Sequence, residues 1–152
     1  MTEPIRLGVL ISGGGTTLEN ICNRIDRGEL PARVAVVVSS LGKVKGVERA
    51  RRRGIPVHVV RRKDYPDQKA FSDAVTAPLE EVKVDLVCLA GFMVLWTVPP
   101  RYEGRVMNIH PALIPSFCGK GMYGHRVHEA VVASGVKVSG CTVHFVNNRY
   151  DA

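Results

Sequence analysis

The hydrophobic positions of this chain follow two periods in turn. Unbroken apolar runs alternate with stretches in which apolar residues recur every three or four positions. The runs at Ile5–Ile11 (I-R-L-G-V-L-I), 32–38, 55–60 and 84–90 have the make-up of strands buried on both faces. Leu18, Ile21, Cys22 and Ile25 predict a helix closed by Gly28. Val44, Val47 and Ala50 predict a second, basic helix that ends at Gly54. Asp64 is expected to open a third after the Tyr65-Pro66 turn, with Ala70, Phe71, Ala74 and Val75 inward and Pro78 ending or kinking it. Val127, Ala130 and Val131 mark a fourth over His125–Ser134, stopped by Gly135. Strands and helices alternating at these lengths predict an α/β domain with a parallel sheet and right-handed crossovers. No linker, repeat or low-complexity tract interrupts residues 1–152, which read as a single domain.

Two stretches fall where such a sheet binds ligands, outside the carboxyl ends of its strands. The first run leads into Ser12-Gly13-Gly14-Gly15-Thr16-Thr17 and then a helix. That order can hold a phosphate on backbone N–H groups, or can be a tight turn that packs helix on strand. It is not G-x-G-x-x-G, since Leu18 stands where the third glycine belongs, and Gly119-Lys120-Gly121 fails as a P-loop. Ser39 and Ser40 follow the second strand, in place of an acid for a ribose diol, so a single phosphate fits better than a dinucleotide. The second stretch is V-M-N-I-H-P from Val106, where apolar residues frame Asn108 and prolines stop the run. Asn108 offers a neutral donor and His110 an acid or base near neutral pH, a pair suited to stabilising an oxyanion while moving a proton. A turn-capping Asn and a backbone-satisfied His are the structural alternative. Apolar bulk at Phe92, Met93, Val94, Leu95 and Trp96 lies at the same sheet edge, where it is either core or the wall of a flat pocket. The last run, 138–146, alternates Val143 and Phe145 with Thr142, His144 and Val146 and reads as a strand with one polar-leaning face.

Composition narrows the class. The 152 residues are 45% hydrophobic and 23% charged, ordinary for a globular domain. No apolar run nears the roughly 20 residues of a membrane span, and the N-terminus has no signal-peptide shape. Cys22, Cys88, Cys118 and Cys141 lie far apart without a C-x-x-C, which argues against zinc and disulfides and for free thiols in the cytoplasm. The net charge of +7 gathers at Arg49, Arg51, Arg52 and Arg53 and at Arg61, Arg62 and Lys63. Without interleaved aromatics these read as a solvated face that attracts small anions rather than nucleic acid. His125 and His128 have no Cys or carboxylate at metal spacing, and His128 reads as a surface histidine.

In order along the chain stand L-I-S-G-G-G-T-T-L-E-N-I from Leu10, L-A-G-F-M from Leu89, N-I-H-P-A-L-I-P-S-F-C-G from Asn108 and G-C-T-V-H-F-V-N-N-R-Y-D from Gly140. The ordered set resembles the glycinamide ribonucleotide transformylase family, the phosphoribosylglycinamide formyltransferases of purine synthesis. The resemblance implies a Rossmann-like open sheet, mostly parallel, with helices on both faces and an antiparallel last strand. It implies formyl transfer from 10-formyltetrahydrofolate to the amine of glycinamide ribonucleotide, without a metal, by a cytoplasmic monomer or homodimer that binds neither nucleic acid nor membrane. Asn108 would stabilise the oxyanion, His110 would assist it, and Asp151 would match the carboxylate that tunes His110. Gly14, Gly15, Thr16 and Thr17 match the phosphate-holding positions. Phe92, Met93, Val94 and Leu95, with Asn108, His144, Asn147 and Asn148, match the folate side.

This chain departs from the family pattern in three places. Gly14, Thr16 and Thr17 stand where many members carry Asn and Ser. Val94 stands where some carry Arg. The sequence ends one residue after Asp151, whereas members continue through a further strand and helix, so the chain is expected to be a catalytic domain truncated at its C-terminus. A formyltetrahydrofolate deformylase would use the same Asn, His and Asp with water as acceptor. That family normally carries an N-terminal regulatory domain, which is not expected here with a first strand at Ile5. A basic nucleotide- or RNA-binding module and an inactive fragment of the transferase are the remaining alternatives.

Overall fold

The computed structural model describes residues 2–148. Strands β1 (Ile5–Ile11), β2 (Ala32–Ser39), β3 (Val57–Val59), β4 (Leu86–Leu89), β5 (Val106–His110) and β6 (Thr142–Phe145) form one sheet in the order β3-β2-β1-β4-β5-β6. Every neighbouring pair is parallel except β5 with β6, which is antiparallel. The expected Rossmann-like architecture is therefore present, and the strand order reverses between β1 and β4.

Helices α1 (Thr16–Asp26), α2 (Lys45–Arg52), α3 (Gln68–Glu81) and α4 (His125–Ser134) complete the fold. Alternate residues of the central strands supply two cores. Leu7, Val9, Ile11 and Val37 pack with Leu18 and Cys22 of α1 and Ala50 of α2 on one face. Leu10, Val36, Val38, Val87 and Val106 pack with Phe71, Val75 and Leu79 of α3 on the other. β1 is covered on both sides, which is why its sequence is a continuous apolar run.

Several boundaries differ from the sequence expectation. Asp64 ends a short 3-10 turn over 62–64; α3 begins after Pro66 as expected, but its cap is Asp67, whose side chain accepts from the Ala70 N–H at 2.7 Å. Pro78 neither ends α3 nor terminates its packing; the helix runs on to Glu81. One lost hydrogen bond is outweighed there by burial of Leu79, fully shielded against the sheet. β3, β4 and β6 are shorter than their apolar runs, because ladder partners exist only over Val37–Ser39, Leu7–Leu10 and Met107–His110.

Two constraints hold the two ends of the sheet, the first of them at the site-bearing end. Gly15 and Gly46 meet backbone to backbone: a Cβ on Gly15 would lie 2.6 Å from Gly46 Cα. A Cβ on Gly46 would lie 2.7 Å from the Gly13 carbonyl and 2.5 Å from Ile11 Cδ1. The Gly46 N–H also donates to that carbonyl at 3.0 Å. We expect Gly46→Ala to lower stability by about 1–3 kcal/mol through overpacking, measured by urea denaturation. At the opposite end, Arg6 grips Asp85 with its backbone N–H and both arms of its guanidinium, at 2.8, 3.0 and 2.9 Å. Chiefly through the guanidinium hydrogen bond, this holds the Asp85 carboxyl down to about 2 from an ordinary 3.8. A depressed carboxylate stabilises the fold above its unfolded value and loses that contribution as pH falls through the folded one. Asp85→Asn should therefore flatten the stability curve between pH 3.8 and about 2, read by thermal melts across that range.

Candidate active site

The reversal between β1 and β4 brings the loops after these strands side by side. Ser12, the residue after β1, ties them together. Its N–H donates to the Gly91 carbonyl at 3.1 Å, and its hydroxyl accepts from the Met93 N–H at 2.8 Å. The same hydroxyl meets Ser40 Oγ at 2.5 Å, at the end of β2. Ser12 and Ser40 are both buried. Sequence reasoning passed over this crossbar; the available signal was a small polar residue just after each of two largely apolar strands.

Beyond Ser12, Gly15 takes a left-handed backbone (φ 70°) as the N-cap of α1 and offers no side-chain cap. No side chain of the cap residue covers the first-turn N–H groups, an arrangement that can receive an anion. Gly14 and Thr16 are exposed and Thr17 half-buried, around a buried Gly15.

The loop after β4 divides its apolar residues. Phe92 and Val94 pack on the α3-side core, while Met93 and Leu95 stand half-exposed at 48% and 49%. Trp96 is buried, and its Nε1 donates to Thr76 Oγ1 at 3.0 Å. Of the expected flat wall, only Met93 and Leu95 face outward. A cavity of about 710 Å³ opens farther along, lined among others by Gln68, Ser72, Val98, Pro99, Val146, Asn147 and Asn148. Asn148 closes one wall by clamping Val98: its Oδ1 accepts from the Val98 N–H at 2.8 Å and its Nδ2 donates to the Val98 carbonyl at 3.1 Å.

Antiparallel pairing of β5 with β6 places Asn108 opposite His144 and His110 opposite Thr142. Because side chains alternate along a strand, these four polar residues share one face, and Ile109, Val143 and Phe145 take the other, exposed one. Asn108 and His144 are joined, Nδ2 to Nε2, at 3.3 Å. His110 is buried, and its Nε2 donates to the Phe117 carbonyl at 2.7 Å. Phe117 holds that carbonyl in place from a left-handed backbone (φ 53°), uncommon for a side chain of this size. Thr142 secures the base of the same loop, donating to the Ala112 carbonyl at 2.7 Å and accepting from the Ile114 N–H at 3.0 Å. Phe117 and Thr142 are supports that sequence reading did not single out. Asp151, expected to partner His110, lies outside the described residues.

A family model for formyl transferase matches residues 5–152. The chain belongs to the formyl transferase family. It is 36% identical over 148 residues to a phosphoribosylglycinamide formyltransferase of Haemophilus influenzae, covering 96% of this chain and 68% of that one. A glycinamide ribonucleotide transformylase structure from Symbiobacterium toebii superposes with a TM-score of 0.89 at 42% identity, covering 99% of this chain and 70% of that one. The chain is also 42% identical to a trifunctional purine biosynthetic protein adenosine-3 of Gallus gallus, of which it spans 15%. It thus spans about one seventh of the length of that relative. The superposition confirms the formyltransferase fold.

The remaining candidates stand apart from this face. His125 and His128 lie on the exposed side of α4 with ring centroids 6.4 Å apart. Cys22, Cys88, Cys118 and Cys141 are unpaired, and burial pushes the Cys22 and Cys88 thiols up, which makes them poor nucleophiles. We expect Ser12→Ala to cost about 1–3 kcal/mol by leaving the buried Ser40 hydroxyl and the Met93 amide without their shared partner. The Met93 amide should then lose hydrogen-exchange protection while amides of β1 keep theirs; retained Met93 protection would show that Ser12 is not the tie.

Proposed function

We propose that this chain transfers a formyl group from 10-formyltetrahydrofolate to the glycinamide amine of glycinamide ribonucleotide, in de novo purine biosynthesis. The observation that carries the reading is the shared face of Asn108 and His110 at the end of β5, in a chain whose relatives are named phosphoribosylglycinamide formyltransferases. Residues 1–152 act as one catalytic domain, and the unpaired cysteines favour the cytoplasm.

The amine nitrogen attacks the formyl carbon directly. As that bond forms, the carbonyl oxygen gathers negative charge, and the Asn108 amide donates to it. The carbon–nitrogen bond to the folate then breaks. The proton given up by the amine passes to the departing folate nitrogen, with His110 and Asp151 moving it. The phosphate of the ribonucleotide rests on Gly14, Gly15, Thr16 and Thr17 at the start of α1. The pterin rests on the outward-facing Met93 and Leu95, with Asn147 and Asn148 on the folate side.

Supplying 10-formyltetrahydrofolate with and without glycinamide ribonucleotide tests this directly. Formylated ribonucleotide, formed only when both are present, is the expected product. Formate released without the acceptor would overturn transfer in favour of deformylation. Asn108→Ala should lower kcat by about a hundredfold or more, as loss of an oxyanion donor does, with unchanged thermal stability.

A further inference from the structure

We propose that His144 is a positioning residue for the Asn108 amide, a role that rests on the formyl-transfer reading above. The argument begins with register. Asn108 of β5 and His144 of β6 are direct partners across an antiparallel pair, so their side chains leave the same face. His144 Nδ1 lies 3.1 Å from the Phe145 carbonyl oxygen. A carbonyl only accepts, so Nδ1 carries the hydrogen. A neutral imidazole protonated at Nδ1 presents a lone pair at Nε2. The Asn108 amide reaches that nitrogen at 3.3 Å through Nδ2. The pairing is therefore Nδ2–H to lone pair, and it has only one sense. Turned through half a revolution, the amide would set its carbonyl oxygen against the same lone pair.

One backbone carbonyl thus selects the tautomer of His144, and the tautomer selects the orientation of Asn108. The second N–H of Nδ2 stays available as the donor that formyl transfer requires. An asparagine left to rotate would present its oxygen to the developing oxyanion for part of the time, and like charges would meet. His144 need touch neither substrate to matter. This departs from the expectation that it serves as a folate-binding group.

The test combines a spectrum and a rate on the full chain. In substrate-free protein, 15N spectroscopy should find the His144 hydrogen on Nδ1. One Asn108 side-chain proton, assigned by its loss in Asn108→Asp, should be shifted downfield. His144→Phe removes the acceptor and should abolish that shift; His144→Gln supplies a carbonyl oxygen and should restore it. With both substrates, kcat of His144→Phe should fall by about ten- to a hundredfold, less than for loss of the donor itself, at unchanged KM for either substrate. His144→Gln should recover most of that loss. A hydrogen on Nε2 overturns the proposal, as does a phenylalanine variant with full kcat, or a loss that appears in KM for the folate. A wild-type chain that shows the Nδ1 tautomer and the shifted amide but transfers no formyl group refutes the transfer reading; the hydrogen bond then stands and its catalytic role falls.

Discussion

The structure depends on β1 being buried on both faces. A strand covered by α1 and α2 on one side and α3 on the other must hydrogen-bond to strands on both edges, since no water reaches its backbone. β2 and β4 supply those edges in parallel register. The chain steps outward from β1 through β2 to β3 and then crosses back to β4 on the other edge of β1, so the strand order reverses there and the following loops part to opposite faces. The crevice between them is a geometric result of closing the sheet around one apolar strand. Ser12 lies at its floor and fixes its width, because one hydroxyl serves both the Met93 amide and Ser40.

The polar face of β5 and β6 follows another rule. Parallel strands bring their carboxyl ends to one edge, which delivers Asn108 and His110 to the crevice. An antiparallel neighbour runs the other way and lends residues from its start, which sets Thr142 and His144 against them. Polar groups crowded onto one face must satisfy one another or the backbone. They do: Asn108 with His144, His110 with the Phe117 carbonyl, and Thr142 with two backbone groups. The tautomer of each histidine follows from a carbonyl that can only accept.

Glycines govern how near the two helix starts approach. Gly15 provides the left-handed turn into α1, and Gly46 permits the backbone contact that sets α2 beside it. The basic residues of α2 then stand next to α1. Arg53 and Arg49 are held there by Glu19, one turn into α1, so part of the positive charge is neutralised within the helix pair.

The sequence by itself determined the order and kind of the elements, because burial on two faces and burial of one helical stripe leave different periods in it. β1 and α4 agree residue for residue, and the shared site of Asn108 and His110 follows from a strand of alternating side chains. Motif order carried the family. Boundaries set by partners were illegible: β6 starts at Thr142 and not near Val138 because β5 offers no partner sooner. Pro78 within α3 escaped for the same reason, as the decisive burial of Leu79 lies across the sheet and not along the chain. Only the tertiary structure decided which way the alternating β6 turned, with Thr142 and His144 toward the site and Val143 and Phe145 outward. Period shows that a strand has two faces; the partner strand's register chooses between them.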